Sequence, residues 1–304
     1  MSQWTGRRRP RPAHLHHDRQ EEPMTGPTET TRTIDLNSDL GEGFGSWSTG
    51  DDSAVLDIVS SANLACGFHA GDPTIMADRC RRAAARGVRV GAHIAYRDLA
   101  GFGRRAMAYA PEDLTAEAVY QIGALHLTAV VAGTRVRYVK PHGALYNTIA
   151  RDETQARAVV AALTQVNAAR GRHAPLALMV QPGTVVEHVA RGEGVPVIRE
   201  AFADRGYTPD GTLVSRREPG AMIDDPAEAA RRMVRLVTEG VVTAVDGTDI
   251  ALDVDSVCVH GDSPHAVEMS RTVREALVAA GVTVTAPGEA TSPAPGDAPA
   301  PAGS

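Results

Sequence analysis

From Thr33 onward, short runs rich in Val, Ile, Leu and Ala alternate with longer segments in which apolar residues recur at helical spacing. Glycine, proline or polar residues bound the short runs, which is typical of buried parallel strands joined by helices. The pattern predicts seven strands, over residues 33–39, 62–66, 88–93, 135–141, 176–181, 196–202 and 256–260. Seven β/α units in one domain favour an α/β fold, a distorted (β/α) barrel with about seven strands.

The longer segments carry signals for the start and end of helices. Pro73 stands where the first turn of a helix tolerates proline, and Gly87 stands where a left-handed residue ends a helix. The predicted helices cover residues 51–60, 73–87, 111–133, 152–169, 183–191, 226–239 and 264–280. Two apolar runs flank Asp246 and Gly247, which favours a small hairpin, and a short strand is expected over 282–285.

The two ends of the chain lack this pattern. Residues 1–31 hold an Arg/Pro-rich stretch and a histidine cluster, and residues 287–304 are rich in Pro, Ala and Gly. Neither segment has apolar surface to bury, so both are predicted to be disordered tails. We expect a single catalytic domain over residues 32–286, because α/β barrels of about 250 residues fold as one unit.

Most of the predicted strands end on polar side chains. Each such residue taken alone is more often structural, as a helix cap or a buried histidine. Five of the seven strand ends nevertheless deliver a histidine or a carboxylate, and the ends of barrel strands meet in one pocket. These strand-end residues are Asp39, His69, His93, His142 and His260. Their joint pattern predicts an acid/base site, with Glu42 close to Asp39.

Lys140, the only lysine of the chain, precedes Pro141 and His142 at the end of the fourth predicted strand. A compact ammonium group there suits an oxyanion or a phosphate, although a surface lysine fits the sequence too. Because proline follows Lys140, the chain has no Walker A loop. It also has no G-x-S-x-G nucleophile elbow, and Cys66 fits an inert buried thiol as well as a reactive one.

Composition argues against several classes of function. A formal net charge of −6 gives no electrostatic footprint for nucleic acid. The 3 cysteines form no C-x-x-C pair, which suits a reducing compartment, so we expect a cytoplasmic protein. No apolar run approaches the roughly 20 residues that span a bilayer, and the basic N-terminus lacks the apolar region of a signal peptide, so no membrane association is expected.

Six long motifs occur in order along the chain: IDLNSDLGEGFG, SANLACGFHAGDP, VGAHIAYRDLAGFGRR, VKPHGALYN, EAFADRGYTPDGTLVSRREPGAMI and CVHGDSP. Together they resemble the LamB/YcsF family, from Thr33 to about Pro287. The resemblance implies a barrel similar to that of glycoside hydrolases and carbohydrate deacetylases. It also implies that the chain is the A subunit of an ATP-dependent 5-oxoprolinase, which opens 5-oxo-L-proline to L-glutamate together with partner subunits B and C.

This reaction suits the strand-end residues. A five-membered lactam is a stable amide, and phosphorylation of its carbonyl oxygen by ATP, with Mg²⁺, would activate it. A carboxylate or histidine would then be the base for water, Lys140 would face the oxygen that gains charge, and His142 or His260 would protonate the leaving nitrogen. The catalytic candidates are Asp39, Glu42, His69, Lys140, His142 and His260.

The expected ligands are a small acid and ATP. Arginines would hold the substrate carboxylate, and ATP would sit mainly on the partner subunits, since no nucleotide motif is present. No tightly bound organic cofactor is expected. The candidates for substrate binding are Asn37, Asn63, His93, Arg97, Arg104, Glu200 and Arg205.

Two other functions fit the sequence. Asp39, His69 and His93 have the chemistry of a divalent metal site, so a metal-dependent deacetylase or amidase is one alternative. The other is a non-catalytic subunit that presents 5-oxoproline to its partners.

Overall fold

The computed structural model describes residues 1, 3, 32–171, 173–261 and 265–287. All elements given below belong to the unit Thr31–Ser304. The expected tails, residues 1–31 and 287–304, lie outside the described residues except for Met1, Gln3 and Pro287. Their disorder therefore stays a prediction.

Seven parallel strands close into a barrel, which confirms the predicted fold class. Each strand pairs with the next along the chain, and the last pairs back onto the first. The barrel strands are β1 (Thr33–Leu40), β2 (Ser61–Ala65), β3 (Arg89–Ile94), β4 (Val136–Pro141), β5 (Ala177–Val180), β6 (Val197–Phe202) and β9 (Ser256–Cys258).

Eight helices and three further strands accompany the barrel in the described residues. The helices are α1 (Asp52–Leu56), α2 (Pro73–Arg86), α3 (Pro111–Val131), α4 (Gly143–Ile149), α5 (Glu153–Ala169), α6 (Val185–Gly192), α7 (Pro226–Glu239) and α8 (Ala266–Ala279). β7 (Val241–Thr243) and β8 (Asp249–Ala251) form the predicted antiparallel hairpin, and β10 (Thr283–Val284) pairs in parallel with β1.

Helix α2 follows the signals in the sequence. The Asp72 side chain accepts hydrogen bonds from the backbone N–H groups of Thr74 and Ile75. Pro73 lies in the first turn, and Gly87 ends the helix with a φ of +67°. An N-cap of this kind typically stabilises a helix by about 1 kcal/mol. The predicted start and end of α2 are confirmed.

Helix α1 is shorter than predicted and ends at Leu56 instead of Ser60. Ser60 is held at the edge of β1, where its backbone N–H donates to the carbonyl of Leu36 and its hydroxyl donates to Asp35. These bonds start β2 one residue later, so the helix cannot continue through Ser60.

Helix α4 was not among the predicted elements. It begins at Gly143, directly after His142, and has no side-chain N-cap. Its stability comes from burial of Leu145, Tyr146 and Ile149. This short helix therefore depends on tertiary packing.

Helix α3 corrects the expectation that no apolar run approaches the length needed to span a bilayer. Among the described residues, α3 alone is long and apolar enough for this, by length and composition. Its position is that of a barrel helix, because Leu114, Ile122 and Leu125 are buried in the core. The buried Gln121 side chain also bonds both backbone groups of Ala95, next to the end of β3.

Candidate active site

Alternation along β1 sends polar side chains into the barrel. Leu36 and Leu40 pack in the apolar core, whereas Asn37 and Asp39, on the opposite face, contact Lys140 of β4. β1 and β4 are not neighbours in the sheet, so this opposite face is the barrel interior.

A chain of hydrogen bonds runs through the interior beneath the strand ends. The Ser256 hydroxyl donates to Asp35, and the Asn37 amide donates to Ser256 at 2.8 Å. The Asn63 amide then donates to Asn37 at 2.8 Å and to Asp39 at 2.7 Å. Burial raises the pKa of Asp35 in spite of its hydroxyl donors. The two asparagines are thus fixed by protein groups and hold Asp39 in place.

Lys140 sits at the centre of this network. Its ammonium nitrogen lies 2.9 Å from an Asp39 oxygen and 2.7 Å from a Glu200 oxygen. It also donates to the Asn37 carbonyl at 3.3 Å and to the Cys258 sulfur at 3.2 Å. Burial would lower the pKa of Lys140, but Asp39, Cys258 and Glu200 together outweigh burial and hold that pKa well above its usual value. Protein acceptors thus surround the ammonium group, and its contact with a substrate oxygen stays a prediction.

Four possible metal ligands meet beside Asp39. Glu42 Oε1 lies 3.0 Å from His69 Nε2 and 3.3 Å from His142 Nδ1. His93 Nε2 lies 3.0 Å from His142 Nδ1 and 3.4 Å from Asp39 Oδ2. The donor atoms of Glu42 and the three histidines all lie within 4.8 Å of one another, and such residues could hold a divalent cation. This group differs from the expected Asp39, His69 and His93.

Burial also sets the protonation of this region. It lowers the pKa of His69 and of His142 well below the usual value for histidine. Burial would raise the pKa of Asp39, but His93 and Lys140 outweigh it and hold that pKa well below its usual value. At neutral pH the site therefore contains at least two neutral imidazoles next to an ionised carboxylate.

A loop after β3 orients the histidines. The Phe102 carbonyl accepts a hydrogen bond from His142 Nε2 at 2.8 Å, and Phe102 has a φ of +53°. A Cβ on Gly103, whose φ is +64°, would lie 2.8 Å from both His142 and His69. A left-handed non-glycine residue costs on the order of 1 kcal/mol, so surrounding packing must maintain this conformation.

Asp204 and His260 form a second polar pair. His260 Nδ1 donates to the Asp204 carboxylate, with a shortest distance of 2.7 Å, and Arg216 donates to His260 Nε2 at 3.2 Å. Burial would lower the pKa of His260, but the Asp204 carboxylate outweighs it and raises that pKa above its usual value. The carboxylate thus fixes the orientation of the ring and leaves Nε2 as the nitrogen that gains or loses a proton.

A cavity of about 550 Å³ opens over the strand ends, within the usual size range of small-molecule sites. Among the described residues that line it, six side chains are cationic and three are acidic. The cationic ones are Arg104, Lys140, Arg151, Arg205, Arg216 and Arg217, and the acidic ones are Asp39, Glu42 and Glu218. The cavity therefore favours an anionic ligand, although the chain as a whole is acidic.

The structure gathers most of the expected site residues at this cavity. Those that line it are Asp39, Glu42, His93, Arg104, Lys140, His142, Arg205 and His260. Those buried behind it, in contact with lining residues, are Asn37, Asn63, His69 and Glu200. Arg97 lies elsewhere: its exposed side chain pairs with Glu117 of α3 at 3.0 Å and covers the ring of Phe68.

Three residues of the site were not among those predicted from the sequence. Asp204 follows the sixth strand just as Asp39 ends the first, so the strand-end pattern itself could have identified it. Arg216 lies in a long loop, where nothing in the sequence indicates its contact with His260. Tyr146 lines the cavity, and its buried hydroxyl has no hydrogen-bond partner among the described residues.

A closed barrel of seven parallel strands, with carboxylates and histidines at the carboxyl ends of the strands, places this protein among the α/β barrels. The sequence matches the LamB/YcsF family over residues 34–292, and the chain belongs to this family. The family resemblance seen in the motifs is confirmed.

Named relatives are similar to this chain over most of their length. The 5-oxoprolinase A subunit of Paracidovorax citrulli (strain AAC00-1) is 59% identical over 251 residues, which cover 83% of this chain and 98% of that protein. The corresponding protein of Kocuria rhizophila is 55% identical over 251 residues, covering 83% and 97%. The crystal structure of a lactam utilization protein from Thermus thermophilus has a TM-score of 0.78 at 47% identity, covering 83% of this chain and 99% of that one.

Proposed function

We propose that this chain is the lactam-opening subunit of an ATP-dependent 5-oxoprolinase, which converts 5-oxo-L-proline to L-glutamate as ATP is hydrolysed to ADP and phosphate. The observation that carries the proposal is the Asp204–His260 pair facing a cationic cavity. The names of the relatives, 5-oxoprolinase and lactam utilization protein, support the same substrate class.

The substrate is a small acid, and the cavity supplies groups for its carboxylate. Arg205 is buried, and its guanidinium donates to the carbonyls of Ala221 and Val214, which fixes its position at the cavity wall. A fixed guanidinium binds a carboxylate with little further loss of side-chain freedom. Tyr146 adds a hydroxyl that can donate to the lactam carbonyl, because burial raises its pKa well above the usual value.

The proposed reaction has three steps. ATP transfers its γ-phosphoryl group to the lactam carbonyl oxygen, which makes the ring carbon susceptible to water. A first water adds to that carbon and the C–N bond breaks, so that the nitrogen becomes the amino group of glutamate and the carbon becomes an acyl phosphate. A second water hydrolyses the acyl phosphate to the carboxylate and free phosphate. Proton transfer from the water and to the nitrogen requires a group whose pKa lies near neutral pH.

His260 fits this proton-transfer role best. Its pKa is raised from an ordinary histidine value, so it can exchange a proton near neutral pH. Asp39, whose pKa is held well below its usual value, is a weak base and is better suited to orient the water. Arg216 contacts His260 Nε2, so substrate binding must replace that contact with one to the reacting atoms.

Partner subunits complete the enzyme in this proposal. The chain has no Walker A loop, so ATP and Mg²⁺ bind mainly on subunits B and C. The 3 free, buried cysteines suit a reducing compartment, and we assign the complex to the cytoplasm.

Reconstitution tests the proposal. Glutamate and phosphate release from 5-oxoproline are measured with this chain, subunits B and C, and ATP. His260→Gln should lower turnover by about 100- to 10,000-fold, as expected for loss of a general acid/base. His188→Gln, an exposed histidine on α6, is the matched control. Full turnover with His260→Gln would instead favour a subunit that only presents the substrate.

A further inference from the structure

At the floor of the cavity, possible ligand atoms of Glu42, His69, His93 and His142 lie within 4.8 Å of one another. We propose that His93, His142 and Glu42 bind one divalent transition-metal cation of the Zn²⁺ class, with one coordination position open to the cavity. His69 is assigned as a positioning residue that donates to Glu42. The binding claim stands apart from the proposed reaction.

The tautomers of two histidines follow from their outer hydrogen bonds. His93 Nδ1 lies 3.0 Å from the Lys140 carbonyl, and His142 Nε2 lies 2.8 Å from the Phe102 carbonyl. A carbonyl only accepts, so both of these nitrogens carry hydrogen. In the neutral rings, His93 Nε2 and His142 Nδ1 are therefore bare nitrogens with their lone pairs directed inward.

These bare nitrogens face each other and two carboxylates. They lie only 3.0 Å apart, with Glu42 Oε1 3.3 Å from His142 and 3.7 Å from His93. Asp39 Oδ2 lies 3.4 Å from His93. The two bare imidazole nitrogens thus face each other at 3.0 Å with no hydrogen between them, which is costly in a buried site. A cation held between them and Glu42 would remove this cost.

The distances suit a metal ion. Ligands held at 2.0–2.1 Å around a tetrahedral Zn²⁺ are separated by about 3.3 Å, and the three separations here run from 3.0 to 3.7 Å. Two histidines and one glutamate with an open fourth position form a donor set of hydrolytic zinc sites. The carbonyls of Lys140 and Phe102 orient the rings as outer partners commonly do.

His69 differs from the other two histidines. Its Nε2 lies 3.0 Å from Glu42 Oε1, so it can donate its hydrogen to that carboxylate. Its ring stacks on His142 at 3.9 Å between centroids, and it is fully buried behind the residues that line the cavity. These contacts hold Glu42 and His142 in position and leave the cavity side of the cation free.

The cation would have a defined role if the proposed function holds. It would face the cavity beside Asp39, where it could polarise a carbonyl or phosphoryl oxygen. This role rests on the proposed function, whereas metal binding can be measured without substrate, ATP or partner subunits. Failure of one is therefore distinguishable from failure of the other.

The test uses the full-length chain with His14, His16 and His17 replaced by alanine, so that these N-terminal histidines cannot bind metal. After chelator treatment, Zn²⁺ binding is measured by calorimetry and Co²⁺ binding by visible absorption. We expect one equivalent of Zn²⁺, a Co²⁺ spectrum typical of four or five ligands, and a melting temperature that rises with Zn²⁺. Less than one equivalent bound by this parent protein overturns the proposal and leaves a shared proton as the balancing charge.

Variants in this parent assign the ligands. His93→Gln and His142→Gln should each abolish the binding of the one equivalent, whereas the exposed control His188→Gln should keep it. His69→Gln should keep the stoichiometry and weaken the affinity about 10- to 100-fold, as loss of an outer-shell partner does. Unchanged binding in His93→Gln or His142→Gln overturns the assigned site, and complete loss in His69→Gln overturns its role as a positioning residue.

Discussion

Replacing Lys140 with methionine tests the buried charge network. The methionine fills a similar volume but leaves the carboxylates of Asp39 and Glu200 together without the ammonium that now lies 2.9 and 2.7 Å from them. Lys140 is only 2% exposed, so water cannot replace that charge. Removing one partner of a buried ion pair typically costs about 3–5 kcal/mol.

Proton uptake by one of the two carboxylates limits this penalty. One carboxylate can take up a proton, and for a glutamate with an ordinary pKa of about 4.3 this costs about 3.7 kcal/mol at pH 7, at about 1.36 kcal/mol per pKa unit. We therefore expect a loss of about 3–4 kcal/mol at pH 7, or roughly 6–16 °C in melting temperature. The variant's carboxylate has a raised pKa in the folded state, so this loss should shrink by about 2.7 kcal/mol at pH 5.

Urea unfolding at pH 7 and pH 5, with thermal melts, measures these changes. Glu200→Gln added to Lys140→Met should recover at least about 1 kcal/mol, because it removes one of the two uncompensated charges. Arg137→Met removes a positive charge from an exposed position on the same strand, and we expect it to change stability by no more than about 0.5 kcal/mol. A Lys140→Met protein within about 1 kcal/mol of wild type at both pH values, with no recovery in the double variant, would refute the reasoning.

Three further outcomes follow from the structure. Asp204→Asn should remove the stability that protonated His260 contributes, which is present below about pH 6.5 and lost as pH rises through the raised pKa, so wild-type and variant unfolding curves should converge at high pH. Gly103→Ala should destabilise the protein by about 1–3 kcal/mol and lower turnover, whereas Gly123→Ala, at an exposed helical site with open space, should stabilise it by up to about 1 kcal/mol in the same melts. Deletion of residues 1–23 and 290–304 should leave melting temperature and turnover unchanged, and a clear fall in either would show that these segments contribute.

Hydrophobic patterning was sufficient to predict the barrel, because buried parallel strands and the helices between them have distinct periods. The same pattern placed His93 and His142 at one end of the barrel, since parallel strands share a carboxyl edge. It could not show that Lys140 is enclosed by Asp39 and Glu200, because that depends on which side chains meet across the interior. Nor could it exclude Arg97, whose partner Glu117 lies on a helix outside the site.

The Lys140–Glu200 ion pair has a consequence for how this site can change over evolutionary time. The group formed by Glu42, His69, His93 and His142 comes entirely from the first half of the chain, through β4, and the Asp204–His260 pair comes entirely from the second. Each group can therefore change within its own half, provided that the contacts between the halves are kept. A chimera of two relatives joined after α4 would retain both groups intact, and would have to match the contacts across the join, among them the Lys140–Glu200 ion pair and the Asn37–Ser256 hydrogen bond.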